Sequence, residues 1–132
     1  MKTIVKWSGG PSYVGMDVKE NQVKISPKAA EEDAISPPDL LLMSLGSCKG
    51  IFFLPAVKEL GLDVKDFEIT LEGEKSKNPP KLFEKINIYF KVWGDVTKED
   101  VKRAIKKSDE KCFIAYSLNP DIETETFTQI EK

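Results

Sequence analysis

The chain contains no histidine and only two cysteines among its 132 residues. Without imidazole, neither a Ser-His-Asp triad nor a Cys-His pair can form, and the commonest metal ligand is missing. Two cysteines are also too few for a four-cysteine zinc site. We therefore expect no metal and no bound cofactor. Any nucleophilic chemistry has to use thiols, carboxylates, amines or phenols, with Cys48 and Cys112 as the first candidates.

The chain also lacks an excess of positive charge and a long apolar run. Its 20 Lys and Arg residues against 22 Asp and Glu residues give a net charge of −2, which argues against a nucleic-acid partner. The apolar uncharged run at residues 40–48 is too short to span a bilayer, and the N-terminal segment MKTIVKWSGG has no signal-peptide core. We expect a cytoplasmic protein without a membrane partner, in which the thiols rest reduced.

The pattern of apolar and turn residues predicts one α+β domain over residues 1–132, a usual length for a single domain. The predicted element order is β-β-β-α-β-β-α-β. The strands are predicted at 2–8, 13–18, 22–26, 64–72, 83–93 and 122–130, and the helices at 38–60 and from 97 towards 112.

The long central helix is apolar on nearly every side. Its predicted start is Ser36-Pro37-Pro38-Asp39, where Ser and Asp suit a cap and Pro suits the first turn, and its predicted end is Gly61. A helix without a polar face has to be buried on most sides, and one sheet cannot cover it completely. We therefore expect a second copy of the chain to cover the rest, in an obligate homodimer.

The two cysteines have more than one interpretation. A single buried cysteine usually behaves as a small hydrophobic residue. Cys48 and Cys112 both lie on segments that face the interior, so the fold could bring them together, but they are far apart in the sequence and their meeting depends on tertiary structure.

Three segments resemble motifs of the OsmC/Ohr family. SPPDLLLMSLGSC resembles the family's central-helix motif P-x-E-L-L-x-x-A-L-G-x-C, and RAIKKSDEKC resembles its second cysteine motif. Between them, PPKLFEKINIYFKVWG is similar to the strand pattern P-x-x-F-x-x-I. The resemblance covers residues 36–118, and Arg103-Ala104 with the SDEKC ending look most like a less characterised branch of the family.

The resemblance implies an intertwined homodimer of the OsmC-like fold with active sites at the subunit interface. It also implies a peroxidase that reduces organic hydroperoxides in oxidative-stress defence. In that scheme Cys48 attacks and becomes a sulfenic acid, Cys112 resolves it to a disulfide, and a dithiol reductant restores both thiols.

The sequence departs from the family at the groups that activate the thiol. The family's peroxidases use an arginine from the N-terminal strands and a glutamate near the start of the central helix. Here the only arginine is Arg103, Pro38 occupies the place of the glutamate, and Asp39 is the nearest acid. Asp39 also suits a plain helix-start residue, and Arg103 suits a surface ion pair with Glu99 or Asp100.

Lysines are the candidate replacements for the missing arginine. Asp39 and Lys49 are the candidate supporting residues, although Lys49 projects about 100° around the helix from Cys48. Other candidates in the N-terminal region are Lys6, Lys19, Lys24 and Lys28.

Three functions remain open at this point. The first is thiol-dependent reduction of organic hydroperoxides through Cys48 and Cys112. The second is a non-enzymatic dimer that binds a small hydrophobic ligand at its interface, with the cysteines as lining. The third is a thiol redox sensor that forms the disulfide without efficient turnover.

Overall fold

The computed structural model describes residues 1–27 and 33–132, and it has the predicted α+β architecture. The order of elements is the predicted one, with one additional short helix, α3, directly after Cys112. The strands are β1 (Thr3–Gly9), β2 (Ser12–Asp17), β3 (Gln22–Ile25), β4 (Asp63–Lys75), β5 (Phe83–Asp95) and β6 (Glu123–Glu131), and the helices are α1 (Pro37–Glu59), α2 (Lys98–Asp109) and α3 (Phe113–Ser117).

The chain divides into two compact units, Met1–Leu41 and Leu42–Lys132, with the boundary in the first turns of α1. In the first unit, β1, β2 and β3 form an antiparallel sheet in that order. Gly9 and Gly10 turn the chain between β1 and β2 with φ of 110° and 54°, a region of backbone space that glycine enters without steric cost. The polar stretch predicted at 27–33 lies mostly outside the described residues.

In the second unit, β5 is the central strand of a sheet of β4, β5 and β6. β4 pairs antiparallel with β5, and β6 pairs parallel with β5 because α2 carries the chain back across the sheet. The predicted alternation of β5 is confirmed on its inner face, where four side chains are no more than 1% exposed. They are Ile86, Ile88, Phe90 and Val92.

Both ends of α1 are formed by local sequence signals. The Ser36 hydroxyl accepts from the Asp39 backbone N–H at 3.3 Å, and Pro37 and Pro38 occupy the first turn, where a missing N–H costs nothing. At the other end, Gly61 has a φ of 65°, while Gly61 and Leu62 donate to the carbonyls of Lys58 and Val57. This is the Schellman arrangement of hydrogen bonds at a glycine that ends a helix, as the sequence predicted.

By length and composition alone, helix α1 is long and apolar enough to cross a membrane, although the charged Lys49 lies within its apolar stretch. The same test is passed by core helices of soluble proteins. Leu45, Phe53 and Val57 of this helix are at most 3% exposed and lie in the core of the second unit. We therefore describe α1 as a core helix.

Helix α2 has a polar outer face and an apolar inner face. Thr97 and Asp100 form a capping box, in which the Thr97 hydroxyl accepts from the Asp100 backbone N–H at 3.1 Å and the Asp100 carboxylate accepts from the Thr97 N–H. The predicted inward face is confirmed by its four buried residues, Val101, Ala104, Ile105 and Ser108. The packing of this face holds the C-terminal end of α2, and the segment with Cys112, against the core.

Candidate functional site

The two cysteines lie on segments that the core holds in place. Cys48 is in the middle of α1 and is partly buried. Cys112 follows the end of α2, immediately precedes α3 and is fully buried at 0% exposure. Both are free thiols.

The fold brings Cys48 and Cys112 together. The thiol of Cys112 lies within hydrogen-bonding reach of the thiol of Cys48. The sequence left this meeting open, because the two residues belong to different elements and only the packing of α1 against the end of α2 decides the distance between them. Two neighbouring thiols on separate elements are the arrangement from which a disulfide can form.

Burial raises the pKa of the Cys112 thiol above its ordinary value, because desolvation penalises the thiolate. The neighbouring Cys48 thiol acts in the same direction. The backbone amide of Ala115 and the Lys49 ammonium oppose the shift, since both favour a negative charge on the sulfur. The Cys112 thiol is therefore a protonated group at neutral pH with two stabilising groups available for its anion.

Lys49 is a charged residue inside an apolar helix, and it is only 6% exposed. Its ammonium donates to the Asp109 carboxylate at 2.9 Å, while the Asp109 side chain is 46% exposed. The rotation of Lys49 around the helix from Cys48, noted in the sequence, directs it towards the segment that carries the other thiol, Cys112. The ion pair thus joins α1 to the end of α2 beside the thiol pair.

Lys49 also lines a cavity of about 220 Å³ in the second unit. The other lining residues are mostly apolar and come from α1, α3, the segment that follows α3 and the start of β6. They are Leu45, Ala115, Leu118, Asn119, Pro120, Ile122 and Thr124.

Asp39, the other candidate supporting residue, has a partner at the start of α1. The Ser36 hydroxyl donates to its carboxylate at 2.9 Å, which makes Asp39 part of the helix cap. Its suggested role in supporting the thiol stays a prediction. Arg103 pairs with Asp100 at 2.6 Å, as the ion-pair interpretation predicted.

The N-terminal lysines stay predictions as thiol partners. Lys24 forms an ion pair with Asp33 at 2.7 Å within the first unit, and Lys28 lies outside the described residues. Among the residues that the structure describes, no group of three or more His, Cys, Asp or Glu side chains could hold a metal ion.

Sequence reasoning did not single out Asp109 and α3. Asp109 is in the SDEKC segment quoted for the second cysteine, but nothing in its spacing connects it to a lysine on another helix. Helix α3 has only five residues, which is too short for a hydrophobic period to be read.

Comparison with known proteins gives the family. The model of OsmC-like proteins matches residues 30–127. Protein YhfA of Escherichia coli K12 is 32% identical over 120 residues, which cover 89% of each chain.

Solved structures give the same fold. An OsmC-like protein from Mycoplasma pneumoniae superposes with a TM-score of 0.87 at 14% identity, covering 99% of this chain and 96% of that one. An organic hydroperoxide resistance protein from Elizabethkingia anophelis superposes with a TM-score of 0.78 at 16% identity, covering 98% and 94%. The matched model spans most of the chain and includes both cysteine segments, and the chain therefore belongs to the family of OsmC-like proteins.

Proposed function

We propose that this protein reduces organic hydroperoxides with Cys48 as the attacking thiol and Cys112 as the resolving thiol. The observation that carries the proposal is the contact between a partly exposed thiol and a fully buried one. The fold shared with an organic hydroperoxide resistance protein supports the same activity.

The exposure of the two thiols supports their roles. A hydroperoxide can reach Cys48, which is partly exposed, whereas Cys112 is closed off from solvent at 0% exposure. Burial raises the pKa of the Cys112 thiol, which disfavours its thiolate as the group that attacks first. The attacking group is therefore Cys48.

The reaction has three steps. The Cys48 thiolate attacks the terminal oxygen of the hydroperoxide, the O–O bond breaks, Cys48 becomes a sulfenic acid, and the alkoxide takes a proton and leaves as the alcohol. Cys112 gives up its proton and its sulfur attacks the Cys48 sulfur, the S–O bond of the sulfenic acid breaks, and the leaving hydroxide takes up a proton and departs as water. A dithiol reductant exchanges with the resulting disulfide, which returns both cysteines to thiols and leaves the reductant as its own disulfide.

The protein is proposed to work as a homodimer. Helix α1 leaves large apolar side chains exposed along one face, among them Met43 at 53%, Ile51 at 65% and Leu54 at 43%. Exposed large apolar side chains on one helix face are typical of an interface. A second copy of the chain is the proposed cover.

The cytoplasm is the proposed location. Two thiols in contact would be oxidised to a disulfide in a secreted protein, whereas cytosolic reductants keep such a pair available for turnover.

Thiol chemistry is favoured over ligand binding by the surroundings of the pair. A pocket that only holds a hydrophobic ligand has no need for two thiols in contact or for a buried ammonium beside them. Burying an ammonium costs free energy, so its presence favours a role with a negatively charged partner.

The test is peroxide consumption followed by stopped flow, with cumene hydroperoxide as substrate and dihydrolipoamide as the dithiol. The wild-type protein should consume many equivalents. Cys48→Ser should consume none beyond the uncatalysed rate, because the attacking sulfur is gone. Cys112→Ser should form a sulfenic acid on Cys48, which dimedone traps for mass spectrometry.

The two cysteine variants serve as controls for each other, since they remove the same chemical group from different steps. A wild-type protein that consumes peroxide no faster than Cys48→Ser would overturn the proposal. Dimedone labelling of Cys112 in place of Cys48 would reverse the assigned roles.

A further inference from the structure

The ammonium of Lys49 is the buried charge that the three steps above do not use. It is 6% exposed, and in the described part of the chain it donates one hydrogen bond, to Asp109 at 2.9 Å. Taking an ammonium out of water is costly unless a partner compensates, and Asp109 compensates incompletely because its own side chain is 46% exposed and hydrated. Lys49 therefore retains the capacity to stabilise a second negative charge nearby.

Cys112 is a group close to Lys49 that can become negative. Asp109 and Cys112 are separated by a single turn at the end of α2, and Lys49 follows Cys48 directly in α1. The ammonium thus lies where both cysteine segments meet, and its charge acts on the Cys112 sulfur. Because Lys49 and Cys112 are themselves buried, at 6% and 0% exposure, such a charge is weakly screened between them.

We propose that Lys49 is a positioning residue for the resolving step, in which its buried ammonium stabilises the thiolate of Cys112 as it attacks the oxidised Cys48. The proposal rests on the function proposed above and assigns one of its steps. The Lys49–Asp109 ion pair contributes in a second way, because it ties the helix that carries Cys48 to the segment that carries Cys112.

The chemistry of the step explains why a cation is needed there. Cys112 has to lose a proton inside the protein before it can attack, and burial alone disfavours that loss. The only arginine of the chain, Arg103, pairs with Asp100. Lys49 supplies a fixed positive charge at the resolving thiol.

The direct test measures the ionisation of Cys112 without any peroxide. In a Cys48→Ser background, Cys112 is the only thiol, and its thiolate is followed by ultraviolet absorbance as the pH is raised. Adding Lys49→Met should move the midpoint upward, because the stabilising charge is lost. Adding Lys49→Arg should keep the midpoint close to that of the background, because the charge is retained.

A matched control is available on the same two helices. Lys107 of α2 pairs with Glu59 of α1 at 3.1 Å, but both side chains are exposed, at 43% and 63%. Lys107→Met removes the same charge from another α1–α2 ion pair and should leave the midpoint unchanged. A midpoint in the Lys49→Met variant equal to that in the Lys107→Met variant would overturn the inference.

The kinetic test follows the lifetime of the sulfenic acid after one equivalent of cumene hydroperoxide. Lys49→Met should leave Cys48 oxidation in place and slow disulfide formation. Each unit of midpoint shift lowers the thiolate fraction about tenfold, and the more basic thiolate regains about threefold in nucleophilicity, so the net slowing is about three- to fourfold per unit.

The outcomes separate this inference from the proposed function. Equal rates of disulfide formation in the wild type and Lys49→Met would overturn the role of Lys49 alone. A wild-type protein that is not oxidised by the hydroperoxide would overturn the proposed function and the resolving step with it. Thermal melts check the folding of the variants. Asp109 is half-exposed and stays hydrated without its partner, so Lys49→Met should fold. If it does not fold, Lys49→Arg still tests the inference, because a variant that retains the charge should also retain the Cys112 midpoint.

Discussion

The protonation of Cys112 connects the chemistry of the site to the stability of the protein. Its thiol is fully buried, and burial raises its pKa. In the unfolded chain the same thiol ionises at its ordinary pKa of about 8.5. The folded state therefore holds this proton more tightly than the unfolded state does.

We predict that this difference makes stability depend on pH in the alkaline range. Below about 8.5 the contribution of Cys112 is fully present, because the thiol is protonated in both states. As the pH rises from there through the raised folded pKa, the unfolded state loses the proton first, and the free energy of unfolding falls. Urea denaturation of the reduced protein between pH 7 and 10 measures this fall in the free energy of unfolding.

The control for the pH dependence is Cys112→Ser, which has no thiol to ionise at that position. Other groups that titrate in this range are common to both proteins, so the difference between the two curves reports Cys112. Parallel curves for the wild type and Cys112→Ser would show that the buried thiol contributes nothing to the slope.

At the scale of the elements, the ends of the helices decide where the thiols lie. Cys112 comes three residues after the last residue of α2, and the inward face of α2 is buried in the core. A helix that starts at the wrong residue would rotate this face and move the segment that carries Cys112. The capping box of Thr97 and Asp100 is the local interaction that sets the start.

We predict that Thr97→Ala lowers the free energy of unfolding by about 1 kcal/mol, because the Asp100 N–H loses its side-chain acceptor. Thr97→Ser keeps the hydroxyl and should be nearly neutral. Chemical denaturation of the two variants measures the difference. A loss of equal size in both would assign the effect to the methyl group of Thr97 and refute the capping explanation.

At the scale of the whole molecule, the exposed apolar face of α1 is the feature that one chain alone leaves unexplained. Helix α1 contributes Leu45, Phe53 and Val57 to the core of the second unit, while Ile51 is 65% exposed. Leaving large apolar side chains of a helix exposed to water is unfavourable. A homodimer that buries this face is the proposed arrangement.

We predict that Ile51→Glu weakens the dimer at least about 100-fold. Each copy loses the burial of one isoleucine, worth about 1.5 kcal/mol or more, and each 1.4 kcal/mol changes the dissociation constant tenfold. Sedimentation velocity over a concentration series measures the dissociation constant.

Asn78→Glu is the matched control for the dimer, because it adds the same charge in the exposed loop between β4 and β5. It should leave the dissociation constant unchanged. A wild-type protein that sediments as a monomer at micromolar concentration would overturn the proposed dimer.

Much of the fold could be predicted from local patterns. The alternation of Ile86, Ile88, Phe90 and Val92 predicted a strand with one buried face, and Gly61 predicted the end of α1, because both signals depend only on neighbouring residues. Helix α3 was missed, since five residues carry no period, and the parallel pairing of β6 with β5 was not specified by any local signal.

The features of the candidate site also separate into those that the sequence determined and those that the tertiary structure decided. Composition by itself excluded histidine chemistry and left two thiols, and the motifs around Cys48 and Cys112 identified the family that the comparison with known proteins then showed. The contact between the thiols and the pairing of Lys49 with Asp109 were decided only by the tertiary structure. The physical reason is that local sequence determines the period and the ends of a helix, whereas the distance between side chains on two helices depends on how their buried faces pack against a common core.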